Sequence, residues 1–100
     1  MSHWKIVRDR NQEHFSHVIS GEWRTSPDPV AALRKKLGEE YSEYCENGDP
    51  GELYDIADVV EELMTLTDQD GDHGRRHLEK VRRYGTFSRH AEWTPVPGDR

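Results

Sequence analysis

"GEEYSEYCENGDPGELYDIAD", residues 38–58, decides the fold. Eight of these residues are acidic and none is basic, and "NGDPG" (47–51) cuts the stretch in two. Working outward from that break, Val30, Leu33, Leu37, Tyr41 and Tyr44 recur at steps of three and four. This is one stripe of a helix ending near Glu46. Ser26 or Asp28 can cap its start, and Pro29 suits a first helical turn because its missing N–H has no partner there anyway. Asp49 and Pro50 repeat the cap-plus-proline start. Leu53, Ile56, Ala57, Val60, Leu63, Met64 and Thr67 make the second stripe. Two long helices joined by so short a turn run antiparallel. One such hairpin cannot bury its faces alone, so the expected architecture is all-α, with hairpins pairing into a four-helix bundle in a homodimer or dimer of dimers.

The flanks are shorter elements. "WKIVR" (4–8) reads as a short strand or an extended arm, and "DRNQEHFSHVIS" (9–20) as a short helical turn followed by an extended piece. "GEWRTSPDP" (21–29) is a loop by composition. "DQDGDHG" (68–74) ends the second helix, and a third is expected over about 75–84 with Gly85 as its stop. "TFSRHAEW" (86–93) reads as extended, and the rest as a tail.

One hundred residues fit one domain. A chain of this length buries only about 60–65% of its unfolded surface, so a partner subunit is expected to complete the core. The single cysteine, Cys45, excludes an intrachain disulfide, and no basic neighbour activates it. No apolar run is long enough for a membrane span, residues 1–20 are too polar for a signal peptide, and a cytoplasmic protein is expected. Residues 39–72 hold thirteen acids and no Lys or Arg, whereas residues 1–38 and 73–100 each hold seven basic residues. The net charge of −6 argues against a general nucleic-acid binder. An acidic centre between basic ends suits a metal–polyphosphate ligand.

Positions i and i+3 lie about 60° apart around a helix. Glu40 and Glu43 therefore share a face, as do Asp55 and Asp58. Two such pairs on neighbouring antiparallel helices place four carboxylates around one cavity, a donor set for hard cations such as Mg²⁺ or Mn²⁺. The plain alternative is a solvated acidic face, and Asp55 and Asp58 point mostly away from their helix's apolar stripe. The acids nevertheless lack the i+4 Lys or Arg partners of an ordinary solubilising surface.

"EEYSE" (39–43) and "DIAD" (55–58) running into "VVEEL" (59–63) resemble the EExxE…ExxD motif of the MazG-like all-α nucleoside triphosphate pyrophosphohydrolases. The resemblance extends along residues 4–93. "KIVRDR" (5–10) is similar to the KLVRDK opening of the phosphoribosyl-ATP pyrophosphatase-like branch. "ALRKKLGEE" (32–40) is similar to its first-helix stretch, and "LEKVRRYGTF" (78–87) to its closing K-x-x-x-R-G-x-F. The histidine-pathway phosphoribosyl-ATP enzymes do not open with a VRD motif. The resemblance implies a single domain over 1–100, with an N-terminal arm (1–25), a helical core (26–85) and a C-terminal arm and tail (86–100). It implies Glu40, Glu43, Asp55 and Asp58 as ligands of Mg²⁺ or Mn²⁺. Asp55 stands where the family usually has Glu, and Tyr84 where the closing motif usually has Arg.

The reaction so implied is NTP + H₂O → NMP + PPi, with water attacking the α-phosphorus. Glu39 or Glu43 would help deprotonate that water. Lys5, Arg8, Lys36, Lys80 and Arg83 are candidate phosphate contacts, and plain surface charge accounts for any one of them equally well. Asp9 would orient Arg8 or touch the ligand, or else cap a helix. The alternatives are a non-catalytic nucleotide-binding or regulatory helical module, to which Asp55 and Tyr84 point, and a phosphoribosyl-ATP pyrophosphohydrolase. An acidic helical adaptor without metal is a weaker third. His73 and His77 are spaced to chelate a metal but lack a third ligand, and His14 and His17 fare no better. Trp4, Trp23 and Trp93 read as aromatic packing of the arms, or a stacking surface for a nucleobase.

Overall fold

The computed structural model describes residues 4–15, 21–68 and 71–98. Among them four helical segments occur and no strand: α1 (Asn11–Phe15), α2 (Pro29–Asn47), α3 (Pro50–Thr67) and α4 (His73–Tyr84). The class is all-helical, as the periodicity implied. "WKIVR" takes the extended-arm alternative, no strand occurring among the described residues, and α1 is the short helical turn expected after it. The extended piece expected to follow it, with His17, falls on residues 16–20, outside the described residues. The expected extension over 86–93 is interrupted by a turn at 87–89.

The helix ends are set locally. Asp28 caps α2, its Oδ1 accepting from the Ala31 N–H at 3.2 Å, and Pro29 occupies the first turn. At the other end Gly48 adopts φ 65°, and its N–H donates to the Tyr44 carbonyl at 2.7 Å. That left-handed conformation is open to glycine without steric cost. The Asn47 side chain accepts from the Asp49 N–H at 2.7 Å, and Asp49 in turn caps α3 through the Gly51 N–H at 2.9 Å. Only Gly48 and Asp49 separate the helices, so α2 and α3 pack as an antiparallel hairpin. Near the far end of α3 the Thr65 and Thr67 hydroxyls donate back to the Glu61 and Leu63 carbonyls.

The seam of this hairpin is narrower than the apolar stripes. On α3 the half-buried positions are Glu52, Asp55, Ile56, Val59, Val60, Leu63 and Met64, a continuous i, i+3, i+4 pattern. On α2 Leu33 and Glu40 are buried, and Val30, Ala32, Lys36, Leu37, Glu39 and Tyr44 are half-buried. Tyr41, expected in the stripe, is 62% exposed, and Leu53 lies outside the seam as well. The aliphatic residues of both helices pack away from the turn, and acids fill the same seam close to it.

The chain divides into two compact units, Met1–Gln69 and Asp70–Arg100. The first holds the arm, α1 and the hairpin. The second is built on α4, which starts at Asp72 and stops at Gly85 (φ 80°). Arg75 ties that helix's first turns together through Asp72 (3.2 Å) and Glu79 (2.8 Å). No described residue of this unit is fully buried, and Phe87, Trp93 and Val96 stand largely exposed.

Candidate metal centre

Three carboxylates meet where the seam approaches the interhelical turn. One oxygen each from Glu40, Glu52 and Asp55 lies within 4.8 Å of the others. Glu40 comes from α2, and Glu52 and Asp55 from the first turns of α3, where i, i+3 spacing aims both at the opposite helix. Glu40 is only 3% exposed. Its Oε1 accepts from Lys36 Nζ at 2.8 Å, one turn back on the same helix. Its Oε2 is buried and has no hydrogen-bond donor against it. A buried carboxylate oxygen without a donor is rare in folded proteins and calls for an ion, a water or a proton.

The charges respond to this crowding. The hydrogen bond from Lys36 draws the Glu40 carboxyl below the usual carboxylate range, against the opposing effect of burial. Burial works to lower the Lys36 ammonium, but the hydrogen bond and charge of Glu40, with the charges of Glu39 and Glu43, raise it overall. The Glu52 carboxyl is pushed up to about 7, first by its hydrogen bond to Glu40, then by desolvation and by Glu43. With no cation present, the proton that Glu52 retains is the group available to Glu40 Oε2.

Arg8 reaches the same place from the extended arm. Its Nε donates to Asp55 Oδ1 at 3.1 Å, and its Nη1 lies 2.8 Å from Asp58 Oδ2. The guanidinium pKa is raised, mainly by the hydrogen bonds to Asp55 and Asp58. The acids of α3 thus have a basic partner after all, 47 residues distant in sequence and invisible to any i+4 count.

Of the four expected ligands, Glu40 and Asp55 converge. Glu43 is exposed and lies against Glu52, and Asp58 is turned to Arg8. Glu52, absent from the expected set, completes the trio. Its signal was in the sequence: Glu52-Leu-Tyr-Asp55 is itself an E-x-x-D, three residues before the Asp55-x-x-Asp58 pair. The expectation that Asp55 faces away from the seam is corrected too, since it is half-buried opposite Glu40. Of the other candidates, Lys36 is bound to Glu40, Glu39 is half-buried beside it, and Lys5 and Asp9 are exposed on the arm. Lys80 and Arg83 belong to α4 in the second unit, where Arg83 lies over the Tyr84 ring at 5.4 Å. Trp4 carries Arg24 over its ring at 4.0 Å, an arm-to-loop contact rather than an open stacking face.

The donor set fits a hard divalent cation, with three carboxylates, one of them buried and short of a donor. No family model, curated protein or solved structure matches the chain. Among the described residues no helix is long and apolar enough to cross a membrane.

Proposed function

We propose that this chain is a metal-dependent nucleoside triphosphate pyrophosphohydrolase of the MazG-like kind, converting NTP and water to NMP and pyrophosphate. The observation that carries the reading is the Glu40–Glu52–Asp55 cluster with its donorless buried oxygen, set in a helical hairpin whose acids follow E-E-x-x-E and E-x-x-D. Glu40, Glu52 and Asp55 would hold Mg²⁺ or Mn²⁺. Bound there, the cation supplies charge neutralisation for phosphate oxygens. Glu43, exposed and next to Glu52, would take a proton from the attacking water, with Glu39 as the second choice. Arg8 and Lys36 bring positive charge to the same rim.

The working form is a homodimer or dimer of dimers with hairpins packed into a bundle. Tyr41, Leu53, Tyr54 and Leu66 are all more than a third exposed, more apolar surface than a lone two-helix unit with one buried apolar residue accounts for. Tyr84, standing in place of the family's closing Arg, favours the second reading, a non-catalytic nucleotide-binding relative.

The deciding experiment incubates the protein with each canonical NTP and dNTP, damaged nucleotides and phosphoribosyl-ATP, with Mg²⁺ or with EDTA. Cation-dependent release of intact pyrophosphate and a nucleoside monophosphate supports the reading. Production of NDP and orthophosphate refutes the cleavage position, and nucleotide binding without turnover selects the second reading.

A further inference from the structure

We propose that Lys36 is a positioning residue that leaves Glu40 a single oxygen for the cation, and that the site thereby takes Mg²⁺ or Mn²⁺ in preference to Ca²⁺. This rests on the metal-dependent reading above and extends it to the choice of cation.

Within the acid trio Glu40 alone is fully buried, at 3% exposed. Lys36 Nζ holds its Oε1 at 2.8 Å from one turn earlier on α2, and its Oε2 is buried without a donor. The two oxygens of one carboxylate therefore differ in standing. One is committed to an ammonium, and the other is open. Lys36 is placed to keep its hold. The i, i+4 spacing puts it on the same helix face as Glu40. Its side chain is only 21% exposed, so the pair is screened less than a surface pair. Glu43, Glu52, Asp55 and Asp58 are half-buried or exposed, and their carboxylates have room to turn toward a cation. Glu40 is the fixed point to which the coordination must conform.

That fixed point discriminates between cations. Ca²⁺ takes about six to eight oxygens at about 2.3–2.6 Å and readily chelates a carboxylate through both of its oxygens. Mg²⁺ takes about six at about 2.0–2.1 Å, from one or two carboxylates, with waters and phosphate oxygens filling the rest. Chelation by both oxygens of Glu40 would put the cation and the Lys36 ammonium on one oxygen, where the two positive charges repel. Ca²⁺ loses a two-oxygen ligand in this way, and Mg²⁺ and Mn²⁺ lose nothing. A hydrogen-bond partner behind a metal-ligating carboxylate sets its orientation in this manner. A ligand limited to one oxygen also leaves more of the cation to the phosphates of a substrate.

The test is calorimetry on the full chain with Mn²⁺ and with Ca²⁺, read as the ratio of the two affinities. Loss of the Lys36 charge strengthens the attraction for any divalent cation, and the ratio cancels that shared effect. The wild type should favour Mn²⁺. Lys36→Met frees Oε1 and should lower the Mn²⁺-over-Ca²⁺ ratio by about tenfold, the lower end of what loss of such a partner does to metal affinity. Lys36→Gln keeps a neutral donor and should lower the ratio by less, and it carries the test if the methionine variant does not fold. Lys36→Arg restores a charged donor and should recover most of the ratio. Lys35→Met removes the same charge from the neighbouring exposed position and should leave the ratio unchanged. An unchanged ratio in the folded Lys36→Met or Lys36→Gln variant, with only the melting temperature lowered, would reduce Lys36 to a stabilising helix partner and overturn the proposal. So would an equal fall in Lys35→Met, or a wild type that prefers Ca²⁺. Each of these results leaves the metal reading standing. Wild-type protein that binds neither cation removes that reading and this one together.

Discussion

Replacing Glu40 by Gln should make the cation-free protein less stable and abolish its stabilisation by a divalent cation. The carboxylate and the amide are nearly isosteric, so the change acts on charge and on donors. In the wild type, Oε2 is buried with no donor against it. Leaving a buried acceptor unsatisfied costs on the order of 1–3 kcal/mol. The glutamine NH₂ supplies two donors where Glu52 and Asp55 offer carboxylate oxygens, while Oε1 can still accept from Lys36. Outweighing this is the loss of the Lys36 ion pair, which holds the Glu40 carboxyl below its usual range and so contributes stability that a neutral amide forfeits; breaking a pair this buried costs on the order of 3 kcal/mol. The net loss of about 1 kcal/mol should lower the melting temperature by about 4–8 °C for a domain of this size. A divalent cation at about ten times its Kd stabilises the wild type by about 1.4 kcal/mol, or about 6–11 °C, and that increment should vanish in Glu40→Gln. Scanning calorimetry at pH 8, with EDTA or Mg²⁺ at matched ionic strength, reads both effects. At pH 5.5, where Glu52 keeps its proton and can serve Oε2 of the wild type, the deficit in EDTA should widen. A variant at least as stable as wild type in EDTA at pH 8, or one retaining the full Mg²⁺ increment, refutes the reasoning.

Other outcomes follow from the same geometry. The Glu52 carboxyl is raised in the folded state to about 7, so the native protein holds a proton that the unfolded chain has lost. This contribution is complete below about pH 4.5 and disappears as pH rises through 7, and cation-free stability should fall over that window. Glu52→Gln should flatten that fall in a thermal-melt series, and an unchanged slope would count against a proton shared with Glu40. Asp55→Asn and Glu43→Gln should each cut pyrophosphate release by a factor on the order of 10²–10⁴, while Glu46→Gln behaves as wild type. Gly48→Ala meets no atom within 4 Å of the added Cβ but must hold φ 65°. It should cost about 1 kcal/mol in urea unfolding through backbone strain alone.

The helix boundaries were legible because they are written in local chemistry. Asp28-Pro29 and Asp49-Pro50 start α2 and α3, and Gly48 and Gly85 stop α2 and α4, within a residue or two of expectation. The site was half legible. Spacing singled out Glu40 and Asp55, but hydrophobicity assigned the seam position on α2 to Tyr41 instead of Glu40. Leu33, Leu37, Glu40 and Tyr44 keep a better three-four alternation than a stripe through Tyr41. A buried carboxylate is so costly that sequence reasoning passes over it unless a ligand is assumed. On α3 spacing singled out Asp55 and Asp58, whereas the acids that approach Glu40 are Glu52 and Asp55. Arg8 could not have been placed by any periodicity, because its pairing with α3 depends on where an irregular arm crosses the hairpin.

That crossing divides the folding of the first unit into an early and a late event. A two-residue turn lets α2 and α3 meet first at their tips and zip outward, each new contact closing a loop only slightly longer than the last. The arm has no such neighbour. Arg8 must find α3 across 47 residues, and the exposed ion pair it gains there is too weak to repay that closure until the hairpin already stands. The contact therefore belongs after the folding barrier. Arg8→Ala should leave the refolding rate unchanged and appear in the unfolding limb of the chevron alone, which makes this arginine a late latch on a hairpin that assembles without it.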